Sequence, residues 1–276
     1  MGNILQPGDE PEMKVNMSVP SAARMYDYYL GGKDNFASDR AAVEELDKVV
    51  PSTRALAINN RRFLQRAVRV LAEEHGIRQF VDHGSGLPTQ DNVHQVAQQV
   101  AKDSHVVYID NDPVVSSHGR ALLVQDHRTT VIENDMRDTE TIFSHPETQR
   151  LIDFSQPVAV LFNSVFHCIP DSETDGPQAV VRRVTERLVP GSYLVMCQLV
   201  SEDPEVRDFV TGFMDQATQG HWGRVRQEKD VAEWFEGMDI LEPGLVEVST
   251  WRPDGEAVAQ QETMEWIEFG GIARLG

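Results

Sequence analysis

The sequence predicts an α/β fold: a doubly wound, mostly parallel Rossmann-like sheet preceded by an N-terminal helical segment. Three observations carry this. The first part of the chain shows only helical periodicity, and beyond His75 short apolar runs alternate with amphipathic segments of helix length. One of those runs feeds directly into a Gly-x-Gly turn. Strands alternating with such helices imply parallel pairing through right-handed crossovers.

Residues 1–17 are polar, contain Pro7, Gly8 and Pro11, and read as a flexible leader. Residues 18–76 read as the helical segment. A helix over 21–30 is ended by Gly31 and Gly32, and a second over 39–49 is stopped by Pro51. A third, long and amphipathic, runs from an N-cap at Ser52 to Glu74, with Gly76 at C′. Residues 77–276 form the α/β domain. Strands are expected over 78–82, 106–110, 130–133, 158–162, 193–199, 245–251 and 265–272, and helices over 92–102, 114–125, 178–188, 205–219 and 229–235. Between the last two strands lies a turn with Pro253, Asp254 and Gly255, so these two are expected to form an antiparallel hairpin at the sheet edge.

Composition narrows the function classes. With 44 acidic against 25 basic side chains, the formal charge is −19. Nucleic-acid binding relies on Lys and Arg neutralising phosphates, so no nucleic acid and no anionic membrane surface is expected as a partner. Cys168 and Cys197 sit in apolar stretches and read as packed thiols. No two of the nine histidines lie within five positions of each other, so no metal site is expected. The start, MGNILQPGDE, is no secretory signal, and Gln6 stands where myristoylation wants Ser or Thr. The longest apolar runs are of strand length, and the expected location is cytoplasmic.

The Gly-x-Gly turn carries the chemistry. Gln79-Phe80-Val81 leads into Asp82-His83-Gly84-Ser85-Gly86, where the glycines would let the backbone take positive φ and bring its N–H groups near a ligand. In a doubly wound sheet the end of the first strand lies at the switch point, where nucleotide-type cofactors bind. Asp110 closes the second strand beside that loop, where it can accept from both hydroxyls of a ribose. Asn111 follows it and joins the same cofactor set. Asp135 follows the third strand, within reach of an adenine amino group, with Met136 to pack on the ring. A nicotinamide dinucleotide would want a third glycine where Thr89 stands, after Pro88. Asp82 two residues before Gly84 instead suits a cofactor without phosphate that carries an ammonium and a sulfonium, which describes S-adenosylmethionine.

These residues resemble the cofactor motifs of class I S-adenosylmethionine methyltransferases. VAVLFNSVFH at 158–167 resembles their fourth-strand motif, and Leu188-Val189-Pro190-Gly191 the turn before their fifth strand. More narrowly, the chain is similar to the bacterial S-adenosyl methyltransferase family long filed as a domain of unknown function. The carriers are PSAARMYDYYLGGKDNF (20–36), DHGSGLPTQDNVHQVAQ (82–98), YIDNDPVV (108–115) and EPGLVEVSTWRPDG (242–255). The resemblance covers nearly the whole chain beyond the leader. It implies a seven-stranded sheet with its last strand antiparallel, and it implies little about the substrate. His83 and Ser85 depart from the small or aliphatic residues expected there. His83 reads as packing beneath the loop rather than as a ligand contact.

In-line methyl transfer to a small-molecule acceptor is the expected reaction, in which the protein supplies alignment, exclusion of water and, for a weak nucleophile, a base. Asn163, after the fourth strand, is placed near the methionine end of the cofactor or the nucleophile. His167 is the candidate base, with a histidine packed in the turn as the plainer reading. In the N-terminal helices Tyr29 would face the sulfonium and Lys33 the cofactor carboxylate if this segment is a lid; packing alone is the alternative. An NAD-type oxidoreductase and a non-catalytic S-adenosylmethionine-binding protein are the other functional classes.

Overall fold

The computed structural model describes residues 16–88, 91–122, 127–255 and 258–276. Nearly all of the 1–17 leader, together with Thr89 and the end of the helix expected over 114–125, lies outside the described residues.

The N-terminal segment is helical as expected: α1 (Ala22–Tyr29), α2 (Ala37–Leu46) and α3 (Thr53–Glu73). The turn after α1 is built on Asp27, which accepts from the Asp34 N–H at 2.9 Å and the Asn35 side-chain amide at 2.8 Å. Gly31 takes φ 80° there, and a Cβ on Gly32 would lie 1.9 Å from Asp27 Oδ1, so the two glycines are needed for different reasons. Asp39, fully buried, clasps α1 to α2: it accepts from the N–H groups of Ser21 and Phe36 and pairs with Arg24 at 2.8 Å. Ser52 precedes α3, but its hydroxyl does not cap the helix. It donates to Glu265 at 2.7 Å instead, tying the helix start to the segment that leads into the C-terminal strand. At the other end Gly76 takes φ 68°, and the Ile77 N–H reaches back to the Leu71 carbonyl, a Schellman-type ending.

The α/β part runs β1 (Gln79–His83), α4 (Val93–Val100), β2 (His105–Asp110), α5 (Pro113–Leu122), β3 (Thr129–Glu133), α6 (Thr139–Ser144), α7 (Pro146–Leu151), β4 (Ala159–Asn163), α8 (Pro177–Thr185), β5 (Tyr193–Val200), α9 (Pro204–Ala217), α10 (Glu228–Glu233), β6 (Asp239–Ile240), β7 (Val246–Glu247) and β8 (Ile267–Arg274). The sheet order is β3-β2-β1-β4-β5-β8-β6, with β7 also pairing β8. β1 to β5 are parallel, and β8 runs antiparallel to β5 over its whole length. The chain order reverses between β1 and β4, which makes that crevice the switch point. The sheet has one apolar layer on each face. On one, α3 and α4 bury Phe63, Val68, Leu71 and Val96 against Phe80, Val106 and Leu161. On the other, Ile142, Val180 and Trp234 pack against Val81, Ile109 and Phe162.

Three local expectations change. The strand expected over 245–251 is cut to Val246–Glu247 and becomes a 3-10 turn over Val248–Thr250. Buried Arg66 of α3 binds the carbonyls of Val248 and Trp251 at 2.7 and 3.0 Å, taking acceptors that a longer strand would have given to the ladder. β7 pairs β8 antiparallel, as in the expected edge hairpin, while β6 supplies an unexpected second piece, so two short fragments share the position of one strand beyond β8. Helices α6 and α7, not expected from periodicity, start on local caps: Asp138 accepts from the Thr141 N–H, and His145 from the Glu147 N–H with Pro146 at the first helical position.

Candidate active site

β1 delivers the Gly loop to the switch point, where Gly84 and Gly86 take φ 68° and 66°. At Gly84 a Cβ would also lie 2.6 Å from Val165 Cγ1; at Gly86 only the dihedral demands glycine. The N–H groups of this loop are not presented to a ligand as expected. Those of Gly84 and Ser85 donate to the Ile109 carbonyl at 2.8 and 3.1 Å, and that of Gly86 donates to Asp110 Oδ2 at 2.9 Å. The loop is stitched to the end of β2, and these three residues keep no N–H for a pyrophosphate. This adds to the case against a dinucleotide.

A cavity of about 730 Å³ opens at the C-terminal ends of the parallel strands. That is in the upper part of the roughly 300–1,000 Å³ typical of ligand pockets. Asp82, Gly84, Ser85 and Gly86 border it from the first loop, Asp110 and Asn111 from the second, Asp135 and Met136 from the third, Asn163 and His167 from the fourth, and Tyr29 from α1. Lys33 does not reach it: it is exposed on the turn after Gly32, outside the cavity wall.

The acids differ in state. Burial pushes Asp82 up to about 7, against the pull of Arg61 and with Asp110 raising it further. Burial pushes Asp110 up to about 6, offset by the Asp112 and Gly86 N–H groups that bind it. A cationic ligand would restore the charge of both. Asp135 is partly buried, yet Arg137 holds its carboxyl below the usual range through bonds of 2.5–3.1 Å. Met136 reaches over Gly84, its Cε 3.2 Å from where a Cβ would stand. His83 is fully buried, stacked on Phe162 with ring centroids 4.4 Å apart, and burial lowers it to about 4. It packs beneath the loop, outside the cavity wall.

The far wall was less visible in the sequence. The Asn163 side-chain amide donates to Asn60 Oδ1 at 2.9 Å and its carbonyl accepts from Cys197 at 3.1 Å; Tyr26 donates to the same Asn60 oxygen at 2.8 Å. Ser164, at φ 57°, turns its hydroxyl onto Glu268 at 2.5 Å. Glu268 is buried and pushed up to about 8 by burial, against the Ser164 hydroxyl that bonds it. His167 stacks on Trp222 with centroids 4.5 Å apart, and burial and Arg226 lower it to about 3, which makes it a weak base. The Tyr29 hydroxyl donates to Asp47 at 2.8 Å, and the ring lies in a core cluster with Leu46 and Leu56. Tyr26, which shares a helix face with Tyr29, borders the cavity, and so do Asn60, Arg61, Trp222 and Glu268, which the sequence does not mark. The available signals were two adjacent asparagines inside a long helix and one acid within the apolar run Trp266-Ile267-Glu268-Phe269.

The residues present fit S-adenosylmethionine. Two buried carboxyls face the cavity, the loop is free of phosphate-directed N–H groups, and the Ser85 hydroxyl is buried on the wall with no partner. Fold and site together define a class I S-adenosylmethionine-dependent methyltransferase. The sequence matches the S-adenosyl methyltransferase family over residues 8–276, and the chain belongs to that family. It is similar to the crystal structure of a protein from Thermobifida fusca assigned as a methyltransferase, at 39% identity with a TM-score of 0.86, covering 97% of this chain and 99% of that one. It is also similar to a DUF574 family protein from Streptomyces avermitilis, at 35% identity and TM-score 0.85, covering 94% and 99%. The plantazolicin methyltransferase BpumL, solved with SAH and a triazolic desmethylPZN analog, shares the fold at 11% identity and TM-score 0.51, covering 92% and 96%. No curated protein matches the sequence. Among the described residues no helix is long and apolar enough to cross a membrane.

Proposed function

We propose that this methyltransferase acts on a small molecule by in-line displacement, within the single cavity that joins the Gly loop to the far wall. The observation that carries this reading is the continuity of that space: the acids at the ends of β1 and β2 share about 730 Å³ with an apolar and aromatic wall of Leu56, Leu199, Met214, Trp222 and Trp266. S-adenosylmethionine, when bound, supplies a methyl group already activated by its sulfonium. The chain does the rest by binding, orienting and excluding water.

Asp110 and Asn111 would hold the ribose end, Met136 and Asp135 the adenine end, and Asp82 and Ser85 the amino-acid end. Asn163, fixed on both sides by Asn60 and Cys197, would set the line along which the nucleophile approaches. Residues 18–76 serve as the wall that closes the acceptor side. Ser21 fastens this wall to the cofactor loop through a 3.2 Å bond to Asp112. A small acceptor suits a cavity roofed by that segment, and the charge of −19 disfavours a nucleic acid.

Thermal-shift and calorimetric titrations test the cofactor roles. S-adenosylmethionine and SAH should each stabilise the protein by about 2.7 kcal/mol at a hundred times Kd, and NADH should not. Stabilisation by NADH alone would sink the reading. A screen of small nucleophiles, read by SAH release, tests the acceptor class; turnover confined to DNA or RNA would overturn it.

A further inference from the structure

The far wall of the cavity holds a carboxyl group that forms no ion pair among the described residues. Glu268 stands near the start of β8, in register with Leu199 of β5, is 2% exposed, and borders the cavity. Its Oε1 accepts from Ser164 at 2.5 Å, while Oε2 is buried and has no hydrogen-bond partner. The groups that act on it are the neutral Ser164, Asn60 and Cys197 and the like-charged Glu247, with the Tyr26 phenol, bonded to Asn60, coupled to it from α1. Arg61, the cation of this wall, bears on Tyr26 and Asp82. A carboxyl buried for the fold alone would be expected to satisfy both oxygens or to pair with a cation. Here the open oxygen belongs to a group on the wall of a ligand cavity.

We propose that Glu268 is the acceptor-side catalytic residue and that the methyl acceptor is an amine, carrying an aromatic body that packs against Trp222, Trp266 and Met214. The inference rests on the methyltransferase reading above and names its substrate class. The amine enters as its ammonium and hydrogen-bonds to Oε2, supplying the cation that the protein withholds. Glu268 then takes one proton: an N–H bond breaks, an O–H bond forms, and nitrogen keeps the electron pair that will form the bond to the methyl carbon. Burial sets this carboxyl at about 8, close to the operating range of a base, whereas His167 lies at about 3. The sulfur–carbon bond breaks with its pair left on sulfur, the product leaves as an N-methylammonium, and Glu268 releases its proton to solvent.

The test uses the full chain saturated with SAH and two probes of equal size, 2-phenylethylamine and the neutral 2-phenylethanol, titrated calorimetrically. At about pH 8.5 the amine should bind roughly tenfold more tightly than the alcohol. At about pH 6, with Glu268 protonated, most of that preference should disappear. Glu268→Gln should retain SAH affinity, which also reports that it folds, and should bind the two probes alike at both pH values. Equal binding of the probes to the native protein, binding of neither, or an amine preference that survives in Glu268→Gln would each overturn the proposal. Loss of SAH binding in that variant would also overturn it, by assigning Glu268 to the cofactor or the fold. If native protein fails to bind SAH at all, the assigned cofactor site fails first, and the two failures are thereby distinguished.

Discussion

The two ends of the cavity are assembled in different ways. At the cofactor end, the residues lie at successive strand ends and are fastened by their own neighbourhood: Gly86 to Asp110 across 24 positions, Asp110 to Asp112 and Asp135 to Arg137 across two. At the acceptor end the bonds join residues 104 apart in Ser164 to Glu268 and 137 apart in Asn60 to Cys197. The first end is held chiefly by backbone N–H groups, the second chiefly by side chains distant in sequence. Substitutions at the cofactor end should therefore weaken cofactor binding, and those at the acceptor end should alter discrimination and pH dependence while leaving cofactor binding in place.

The largest effect is expected at Gly84. Alanine there must hold φ 68° and place its Cβ 2.6 Å from Val165 Cγ1. The left-handed conformation alone costs about 1–2 kcal/mol, and Val165 cannot withdraw without disturbing the core cluster around Phe162 and Phe166. SAH affinity, measured by calorimetry, should fall by at least about a hundredfold, or about 2.7 kcal/mol. An affinity within fivefold of native would mean that the loop does not touch the cofactor.

Asp110→Ala should come next. It frees the N–H groups of Gly86 and Asp112, which the carboxylate binds at 2.9 Å each, and removes the proposed ribose acceptor. Hydrogen bonds to charged groups contribute about 1.5–3 kcal/mol each, so SAH should bind about 10- to 100-fold more weakly. Asn60→Ala, which cuts the bonds to Tyr26, Asn163 and Cys197 at the other end, should change SAH affinity far less. If the two variants weaken SAH equally, the division of the cavity into two ends is wrong.

That division also explains what could be read from the chain. Asp82, Gly84, Gly86, Asp110 and Asp135 each follow a short apolar run, so one-dimensional periodicity locates both the strand and the group at its tip. Glu268 has no such tag, because its neighbourhood is created only when β8 inserts beside β5 and Ser164 turns back from β4. The edge strand beyond β8 is shorter than its composition suggests for a similar reason. The run around Val246–Glu247 has strand composition, but Arg66, 182 positions away from Val248, takes the carbonyls that would extend it. Lys33 meets the cofactor carboxylate only if the segment closes as a lid, and the turn around Asp27 leaves it exposed.

A third effect separates the ends by pH. Asp82 at about 7, Asp110 at about 6 and Glu268 at about 8 all lie above their unfolded values. For an acid whose folded pKa is raised, the folded state binds the proton more tightly. Its contribution to stability is therefore full below the unfolded pKa and is lost as pH rises through the folded one. Below about pH 6.5 the buried His83 and His167, held at about 4 and about 3, act in the opposite sense, so the ligand-free protein should lose melting temperature chiefly from about pH 6.5 to about pH 8, the last part of that loss coming from Glu268. Glu268→Gln should melt near the native temperature at pH 5 and a few degrees above it at pH 8.5. A variant less stable than native at both pH values would show that the carboxyl contributes to the fold rather than burdening it.

The smallest effects are expected in the N-terminal segment, where they decide between wall and lid. A lid that closes on the cofactor must make contacts in the closed state that are absent in the open one, and those contacts must appear in the affinity. Lys33 is exposed away from the cavity, so Lys33→Ala should leave SAH affinity and melting temperature unchanged. Tyr29 borders the cavity, but its hydroxyl is committed to Asp47. Tyr29→Phe should therefore lower stability by about 0.5–1.5 kcal/mol for the lost bond and alter SAH affinity by less than about twofold. A tenfold loss of affinity in Lys33→Ala would require the turn at Gly31 and Gly32 to swing inward on binding, and the segment would then be a lid. Unchanged affinity in both variants, with the stability cost confined to Tyr29→Phe, assigns it to the fixed wall against which the acceptor is held.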